Sequence, residues 1–231
     1  MKYLSLLLLT IPLSAESLRY NINWQSGLSL GEAELRSDQA VGSIKVVQDG
    51  KPKEAQPWQF ALNIDAGVPG FALQDQYHSS ASSKLCTVEL NKNMTHGTRK
   101  SGEKLTFDPH ENSVTRDTTS GGGTSTFQVS PCARDALTFL QFARSELAQG
   151  RLPSAESIVF GSVYQVRMEF AGSMTLPVGE KRTEADHFVV TVKGPASNVS
   201  GELFLAKDPT RTPILAKIPT ALGTFTLELV R

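Results

Sequence analysis

Most of the chain alternates apolar and polar residues with a period of two, which is typical of half-buried β-strands. The clearest run covers residues 58–64, where Trp58, Phe60, Leu62 and Ile64 occupy every second position. Comparable runs recur between residues 20 and 229 and are separated by Gly, Pro and Asp turn signals. The pattern predicts about a dozen strands. Their connections are too short for parallel crossovers, so we expect antiparallel pairing.

Residues 130–150 change to a helical period. Ser130 is a good N-cap, Pro131 suits the first helical position, and Gly150 is a natural stop. The apolar residues at helical spacing are Ala133, Ala136, Leu137, Phe139, Leu140, Phe142, Ala143 and Leu147. The spacing predicts one long amphipathic helix of about five turns, which must pack on an apolar surface. The predicted fold class is therefore mainly β (α+β).

The first fifteen residues have the layout of a secretory signal peptide. Lys2 precedes an apolar run from Leu4 to Leu13, and small residues end at Ala15. We expect cleavage after Ala15, which leaves residues 16–231 as a single exported β-rich domain, periplasmic or extracellular and soluble. A short buried N-terminal element is the alternative. The apolar run is shorter than the roughly 20 residues of a membrane-spanning helix, so no transmembrane segment is expected.

The two cysteines, Cys86 and Cys132, are predicted to pair, because an exported chain with an even cysteine count usually forms disulfides. Two free buried thiols are the alternative. The spacing matches neither a zinc site nor a thioredoxin-type site. Lys and Arg total 23 and Asp and Glu total 23, so the balance of charge argues against nucleic acid as a partner.

Two groups of charged residues are candidates for ligand contacts. On the helix, Asp135 or Arg144 is expected to face a cavity and bind a polar headgroup. The structural alternative places Asp135 near the positive end of the helix dipole and pairs Arg144 with a loop carboxylate. Near the C-terminus, Arg211 is a candidate anion anchor at a cavity mouth. Its alternative is a bond back to Asp208, which begins a turn.

Catalytic and metal motifs do not stand out. The four histidines form no HxH or HExxH pattern, the serines form no GxSxG elbow, and the glycine run at 121–123 lacks the Lys-Ser/Thr of a phosphate loop. We therefore expect no metal, no cofactor and no catalytic residue. The densest basic stretch holds Lys92, Arg99, Lys100 and Lys104. It is expected either to form a solvated sheet face or to meet anionic headgroups or polysaccharide.

Four segments of the chain carry a family resemblance: Tyr20–Trp24 with Gly31, Asp75–Ser80, Cys132–Arg144 with Gly150, and the run from Leu203 to Leu229 that includes Asp208, Arg211 and Pro213. Together they resemble the exported bacterial family called domain of unknown function 3108. Thr138 stands where Ser is common in that family, and Leu203-Phe204 replaces a common Trp-Leu pair. The resemblance implies a curved antiparallel sheet or partial β-barrel with a helix beside it. That shape is similar to periplasmic lipoprotein carriers, whose half-barrels hold acyl chains.

The leading functional hypothesis is a non-enzymatic envelope protein that binds an apolar or amphiphilic, lipid-like ligand. The candidate ligand-binding residues are Trp24, Phe139, Phe142, Tyr164, Arg144 and Arg211. Core packing is the alternative role for the aromatic ones. A second hypothesis is a structural envelope protein that binds a protein partner through a sheet edge. A hydrolase of envelope polymer is the third.

Overall fold

The computed structural model describes residues 15–39, 44–48, 51–55, 57–68, 70–119, 121–220 and 223–230. The predicted signal peptide, apart from Ala15, lies outside the described residues. Within them the chain forms sixteen strands and one α-helix. The elements are β1 (Glu16–Trp24), β2 (Ser29–Gln39), β3 (Ile44–Gln48), β4 (Lys51–Ala55), β5 (Trp58–Val68), β6 (Phe71–Ala81), β7 (Thr87–His96), β8 (Arg99–Asp108), β9 (Ser113–Thr118), β10 (Gly123–Gln128), α1 (Ala136–Ala148), β11 (Glu156–Val159), β12 (Val163–Val178), β13 (Lys181–Lys193), β14 (Asn198–Ala206), β15 (Pro213–Thr220) and β16 (Gly223–Val230).

Fourteen of these strands form one antiparallel sheet, in the order β10-β9-β8-β7-β6-β5-β2-β1-β16-β15-β14-β13-β12-β11. The strands β3 and β4 form a separate hairpin. Every connection except the helical one joins neighbouring strands or encloses that hairpin, as expected for short connections. The first and last strands, β1 and β16, pair with each other in the middle of the sheet. The predicted antiparallel pairing is therefore confirmed.

The sheet curves until its two halves meet. The backbone N–H of Thr87 on β7 donates to the carbonyl of Ala133, and the N–H of Val159 on β11 donates to the carbonyl of Arg134. A two-residue segment thus bridges β7 to the far edge strand β11. Leu90 and Leu105 pack against Val159 in one buried cluster. The predicted curved sheet is confirmed, and its shape is barrel-like.

One face of the sheet looks into this barrel and is here called the inner face. Residues that pair directly across antiparallel strands lie on the same face. Ile22, Leu227, Ala216 and Leu203 follow one another in register across β1, β16, β15 and β14. They form one apolar row of the inner face, so the period-two pattern of the sequence points its apolar residues into the barrel.

The strands run up and down, so their connections collect at two ends of the barrel. The end here called the rim carries the β1–β2, β5–β6, β7–β8, β9–β10, β11–β12 and β13–β14 turns. The opposite end, here called the helix end, carries the β6–β7, β8–β9, β12–β13 and β14–β15 connections and the entry into α1. The two ends therefore differ, because the chain enters α1 at the helix end, whereas the connections named at the rim are turns between strands.

The helix α1 is shorter than predicted, because it has 13 residues and begins at Ala136 rather than after Ser130. Cys132 has a positive φ of 57°, and Ala133 and Arg134 are used as the bridge between β7 and β11. These three residues cannot be helical at the same time. The predicted stop is confirmed, since Gly150 follows the C-cap with a φ of +74°.

The helix lies between two buried clusters. Leu137 packs with Tyr20, Leu35 and Phe60, which come from β1, β2 and β5. Another face of α1, which includes Phe139, Ala143 and Leu147, packs with Ile158, Val166, Met168, Phe188 and Leu205 from β11 to β14. The helix thus contacts both halves of the curved sheet from inside, which is how its apolar residues are buried on more than one side.

The predicted disulfide is confirmed, since Cys86 and Cys132 are bonded. Cys86 lies in the β6–β7 connection, and Cys132 lies just before the bridge segment. The bond therefore ties the entry of α1 to the helix end of the barrel. A disulfide fits an exported protein, because thiols stay reduced in the cytosol.

Candidate functional site

The start of α1 is fixed by a buried hydrogen-bond network around Asp135. This residue is the N-cap, and its Oδ1 accepts from the backbone N–H groups of Leu137 at 2.8 Å and Thr138 at 3.2 Å. Its Oδ2 accepts from the hydroxyls of Ser79, Thr87 and Thr138. The Asp135 side chain is fully buried. All of the partners are donors, so this carboxylate holds the helix against β6 and β7 and does not face a cavity.

The second half of α1 is fixed by Arg144. Its guanidinium forms a two-point pair with Glu16 on β1, at 2.7 Å from Nη1 to Oε2 and 2.8 Å from Nη2 to Oε1. Its Nε–H is shared between the carbonyls of Thr210 and Arg211, in the β14–β15 connection. The partner of Arg144 is therefore a strand residue rather than the loop carboxylate of the structural alternative. Its donors are occupied by protein groups.

Replacing Arg144 by Met should lower the free energy of unfolding by about 3 kcal/mol, because a buried charge pair and two carbonyl contacts are lost. We take the lower part of the usual range because Glu16 is partly exposed and water reaches it. Arg151→Met is the matched control, since Arg151 pairs with Glu146 on the exposed surface at the C-terminus of α1; it should leave the free energy of unfolding nearly unchanged. Urea unfolding measures both, and equal losses would contradict the assignment.

These two attachments orient α1 across the barrel near its helix end, from β6 and β7 to β1. A cavity of about 400 Å³ remains between the helix and the inner face of β12 to β15. Its apolar lining comprises Ala136, Phe139, Leu140 and Ala143 from the helix and Ile158, Val166, Met168, Val190, Val192, Val199, Leu203, Ala216 and Ile218 from the sheet. A volume of this size is within the range of small-molecule sites.

The cavity is open towards the rim. Val199 is the second residue of β14, next to the β13–β14 turn, and Ile218 lies near the end of β15. Both line the cavity, and both are exposed. Ile218 pairs with Phe225, which pairs with Trp24 on β1. The apolar surface of the inner face thus continues past the helix, because α1 covers only the part nearer the helix end.

The opposite wall of the barrel, on β6 to β9, carries charged side chains on the same inner face. Lys92 donates from Nζ to Glu103 at 3.0 Å and lies over the ring of Phe160, and Arg116 donates to the other oxygen of Glu103. Burial opposes ionisation of Glu103, but the bonds from Arg116 and Lys92 outweigh it and lower the pKa of the carboxyl. The charged groups of this network are paired with one another. The network lies on the wall opposite the apolar cavity.

A second polar group on that wall surrounds Asp75. The hydroxyl of Tyr77 donates to Oδ2 of Asp75 at 2.9 Å, and Nε2 of His96 lies 2.9 Å from Oδ1. Burial, and then the nearby Asp75 carboxylate, raises the pKa of Tyr77 above its ordinary value. Among the described residues no group of three or more His, Cys, Asp or Glu could hold a metal ion.

The six residues predicted as ligand contacts do not form one group. Phe139 lines the cavity and is buried in the core. Trp24 packs edge-to-face on Phe225, with ring centroids 4.9 Å apart, on the inner face near the rim. Phe142 is covered by the guanidinium of Arg134, whose central carbon lies 3.8 Å from the ring centroid.

The other three predicted contacts are held by protein groups. Tyr164 is half-buried near the start of β12 and lies so close to Gly194 that a Cβ there would clash with its ring. Arg211 bonds to Asp186 at 2.7 Å rather than back to the side chain of Asp208. Burial opposes ionisation of Asp186, but bonds from Ser173, Arg211 and Lys207 outweigh it and lower its pKa. Arg144 is paired with Glu16, as described above.

Sequence reasoning missed most of the aliphatic cavity wall. Val190, Val192 and Leu203 belong to alternating runs that were recognised as strands. Their spacing shows which residues share a face. It does not show that this part of the inner face extends beyond the helix, so the spacing alone does not distinguish these residues from ordinary core residues.

The fold and the cavity define a barrel-like β-protein with an internal helix and an apolar pocket beside it. The chain belongs to the family described as protein of unknown function DUF3108, whose match covers residues 19–230. The predicted family is thereby confirmed. None of the curated proteins matches the chain.

A solved structure shares this fold. It is the crystal structure of the beta-barrel-like protein of domain of unknown function DUF1849 from Brucella abortus. The TM-score is 0.62 at 8% sequence identity, with 96% of this chain and 98% of that chain covered. At this identity the likeness concerns the fold alone. None of the helices in the described part of the chain has the length and apolar character needed to cross a membrane.

Proposed function

We propose that this protein binds an apolar or amphiphilic, lipid-like molecule in the cavity between α1 and β12 to β15, and that it does so without catalysing a reaction. One observation carries the proposal: an apolar cavity whose lining residues Val199 and Ile218 stay exposed on the inner face of the sheet. Inner-face apolar residues of a small barrel are normally covered by packing. Here a bound acyl chain or ring would cover them.

The energetics favour an apolar ligand over a polar one. Burying apolar surface yields about 25 cal/mol per Å², whereas a polar group placed against this wall would lose its water without finding a partner. The strands β12 to β15 contribute only aliphatic and Met side chains to the lining, apart from Gly201, Glu202 and Lys217. Glu202 and Lys217 bond to each other at 2.9 Å, so they offer a ligand little free charge. We place the protein in the cell envelope after export, on the signal-peptide pattern and the disulfide.

The test uses the fluorescent apolar probe N-phenyl-1-naphthylamine. The unaltered protein should bind it saturably, and Val199→Glu should weaken binding at least about tenfold, because a carboxylate at the mouth must lose water when the probe enters. Val230→Glu is the matched control. Val230 is 43% exposed against 39% for Val199, but it pairs with Arg19 and lines no part of the cavity.

Saturable binding that Val199→Glu weakens and Val230→Glu leaves unchanged would support the cavity. Equal binding by both variants would contradict it, and so would the absence of saturable binding by the unaltered protein. Circular dichroism of each variant checks that the fold is kept. Native mass spectrometry of protein purified under mild conditions would then identify any ligand class by its mass.

A partner-binding role is the second candidate, and one observation favours it. Among the described residues β10 pairs with β9 only, so one edge of β10 is not covered by another strand. An edge of this kind accepts a strand from another chain. Recovery of a stoichiometric envelope protein with the chain, together with no probe binding, would favour this role over the ligand-binding one.

A further inference from the structure

The rim of the barrel is apolar at its turn tips. Leu28 lies in the β1–β2 turn, and Val68 and Phe71 face each other where β5 ends and β6 begins; all three side chains are exposed. Val68 and Phe71 share a surface depression with the β7–β8 turn, and the Phe71 ring lies against Gly97 of that turn. Exposed apolar side chains gathered on neighbouring turns, rather than scattered singly, mark an interaction surface.

The charges on the described turn residues and on the terminal strand residues of the rim are all positive. The described residues of its turns, 25–28, 70, 97–98, 119, 121–122, 160–162 and 194–197, include neither Asp nor Glu. The strand ends next to these turns contribute Arg99 at the start of β8 and Lys193 at the end of β13, and Lys100 follows Arg99. Two carboxylates of these hairpins lie close by: Asp117, one residue before the end of β9, accepts a bond from Thr124, and the exposed Asp65 of β5 lines the depression beside Val68 and Phe71.

The helix end has no such asymmetry. Its connections carry both signs, because Lys84 and Lys207 occur there with Glu111, Glu180 and Asp208. The apolar tips and the purely basic strand ends therefore coincide at one end of the barrel. This is the same end towards which the cavity opens, at Val199 and Ile218.

We propose that the rim docks on an anionic lipid bilayer, with Leu28, Val68 and Phe71 inserted among the headgroups and Arg99 and Lys193 facing the lipid phosphates. This inference rests on the proposed function, since it names the surface from which the cavity is filled. Apolar side chains that enter the interface and basic side chains that meet anionic headgroups act together in membrane-surface binding. A ligand moving from bilayer to cavity would then stay on apolar surface throughout.

The test is flotation of the full chain with vesicles. Protein should float with vesicles of phosphatidylglycerol and phosphatidylcholine in about equal amounts, and not with phosphatidylcholine alone. Added salt should weaken the binding, because exposed charges are screened. The double variant Arg99→Gln/Lys193→Gln should lose about 25-fold in affinity, which corresponds to about fivefold for each basic residue near an anionic surface.

The apolar contribution is tested with Leu28→Asp/Phe71→Asp, which should reduce vesicle binding at least about tenfold. The matched control is Leu152→Asp/Met174→Asp. Leu152 is 49% exposed against 60% for Leu28, and both control residues lie on elements away from the rim, in the α1–β11 connection and in β12 towards the helix end. The control should float as the unaltered protein does.

Equal flotation with both vesicle types, equal losses in rim and control variants, or no flotation at all would overturn the proposal. Capture of a protein partner at the rim without vesicle binding would overturn it as well. Probe binding is measured on the same variants without vesicles. Because Leu28 and Phe71 do not line the cavity, retained probe binding with lost flotation separates a failure of the rim proposal from a failure of the cavity proposal.

Discussion

Asp135→Ala is expected to destabilise the protein by about 5 kcal/mol, the largest single-residue effect we predict. The carboxylate accepts bonds from two backbone N–H groups and from three hydroxyls, those of Ser79, Thr87 and Thr138. Losing an N-cap costs about 1 kcal/mol, and each buried donor left without a partner costs about 1–3 kcal/mol. Urea unfolding followed by circular dichroism measures the loss.

Two further variants separate the contributions. Asp135→Asn keeps a carbonyl acceptor for the helix N–H groups but loses the second carboxylate oxygen, so its loss should be intermediate. Asp65→Ala is the control, because Asp65 is exposed on β5; its effect should stay within about 0.5 kcal/mol. A loss below about 2 kcal/mol for Asp135→Ala would contradict the central role of the network.

The period-two pattern of apolar residues predicted the strands that have one apolar face and one polar face. It failed for strands whose residues are almost all polar. The run from Trp58 to Ile64 alternates strictly and lies in β5. By contrast β10 has the sequence Gly-Thr-Ser-Thr-Phe-Gln, and Phe127 is its only large apolar residue. Its pairing comes from the β9–β10 hairpin and not from burial. Strands of this kind explain why sixteen were found where about a dozen were expected.

The start of the helix was misplaced for a tertiary reason. Ser130 and Pro131 are good local signals, and nothing in the local sequence contradicts them. The segment after them is occupied by long-range bonds to Thr87 and Val159, which lie on strands distant in sequence. Such bonds form only when the sheet has curved round, so a single sequence cannot show that they override the local preference.

The sequence supports a hypothesis about the chemistry of a ligand, but it does not show the geometry of the candidate cavity. The aromatic content and the family resemblance led to the hypothesis of an apolar or amphiphilic ligand, which stays a prediction. Phe139 does line the cavity, but Arg144 and Arg211 are used in pairs with Glu16 and Asp186. Those partners are 128 and 25 residues away along the chain, and pairs at such separations leave no periodic signal.

Replacing both cysteines, Cys86→Ala/Cys132→Ala, should lower the free energy of unfolding by about 4 kcal/mol. The two residues are 46 positions apart, and the chain-entropy model gives about 4 kcal/mol for a closed loop of that length. Urea unfolding of the oxidised protein and of the double variant measures the difference. A loss below about 1 kcal/mol would contradict the prediction. Reducing the disulfide of the unaltered protein should lower the free energy of unfolding by a similar amount. Both cysteine side chains are kept in that measurement, so the loss would not come from their removal.

The disulfide and the Asp135 network hold the same junction, so their effects should not add. Cys86 precedes Thr87, whose hydroxyl bonds to Asp135, and Cys132 lies three residues before Asp135. Without the disulfide, the entry of α1 can move away from β7 and take its donors to water. The triple variant with Asp135→Ala should therefore lose at least about 1 kcal/mol less than the sum of the separate losses. Strict additivity in this double-mutant cycle would show that the two devices stabilise the barrel independently.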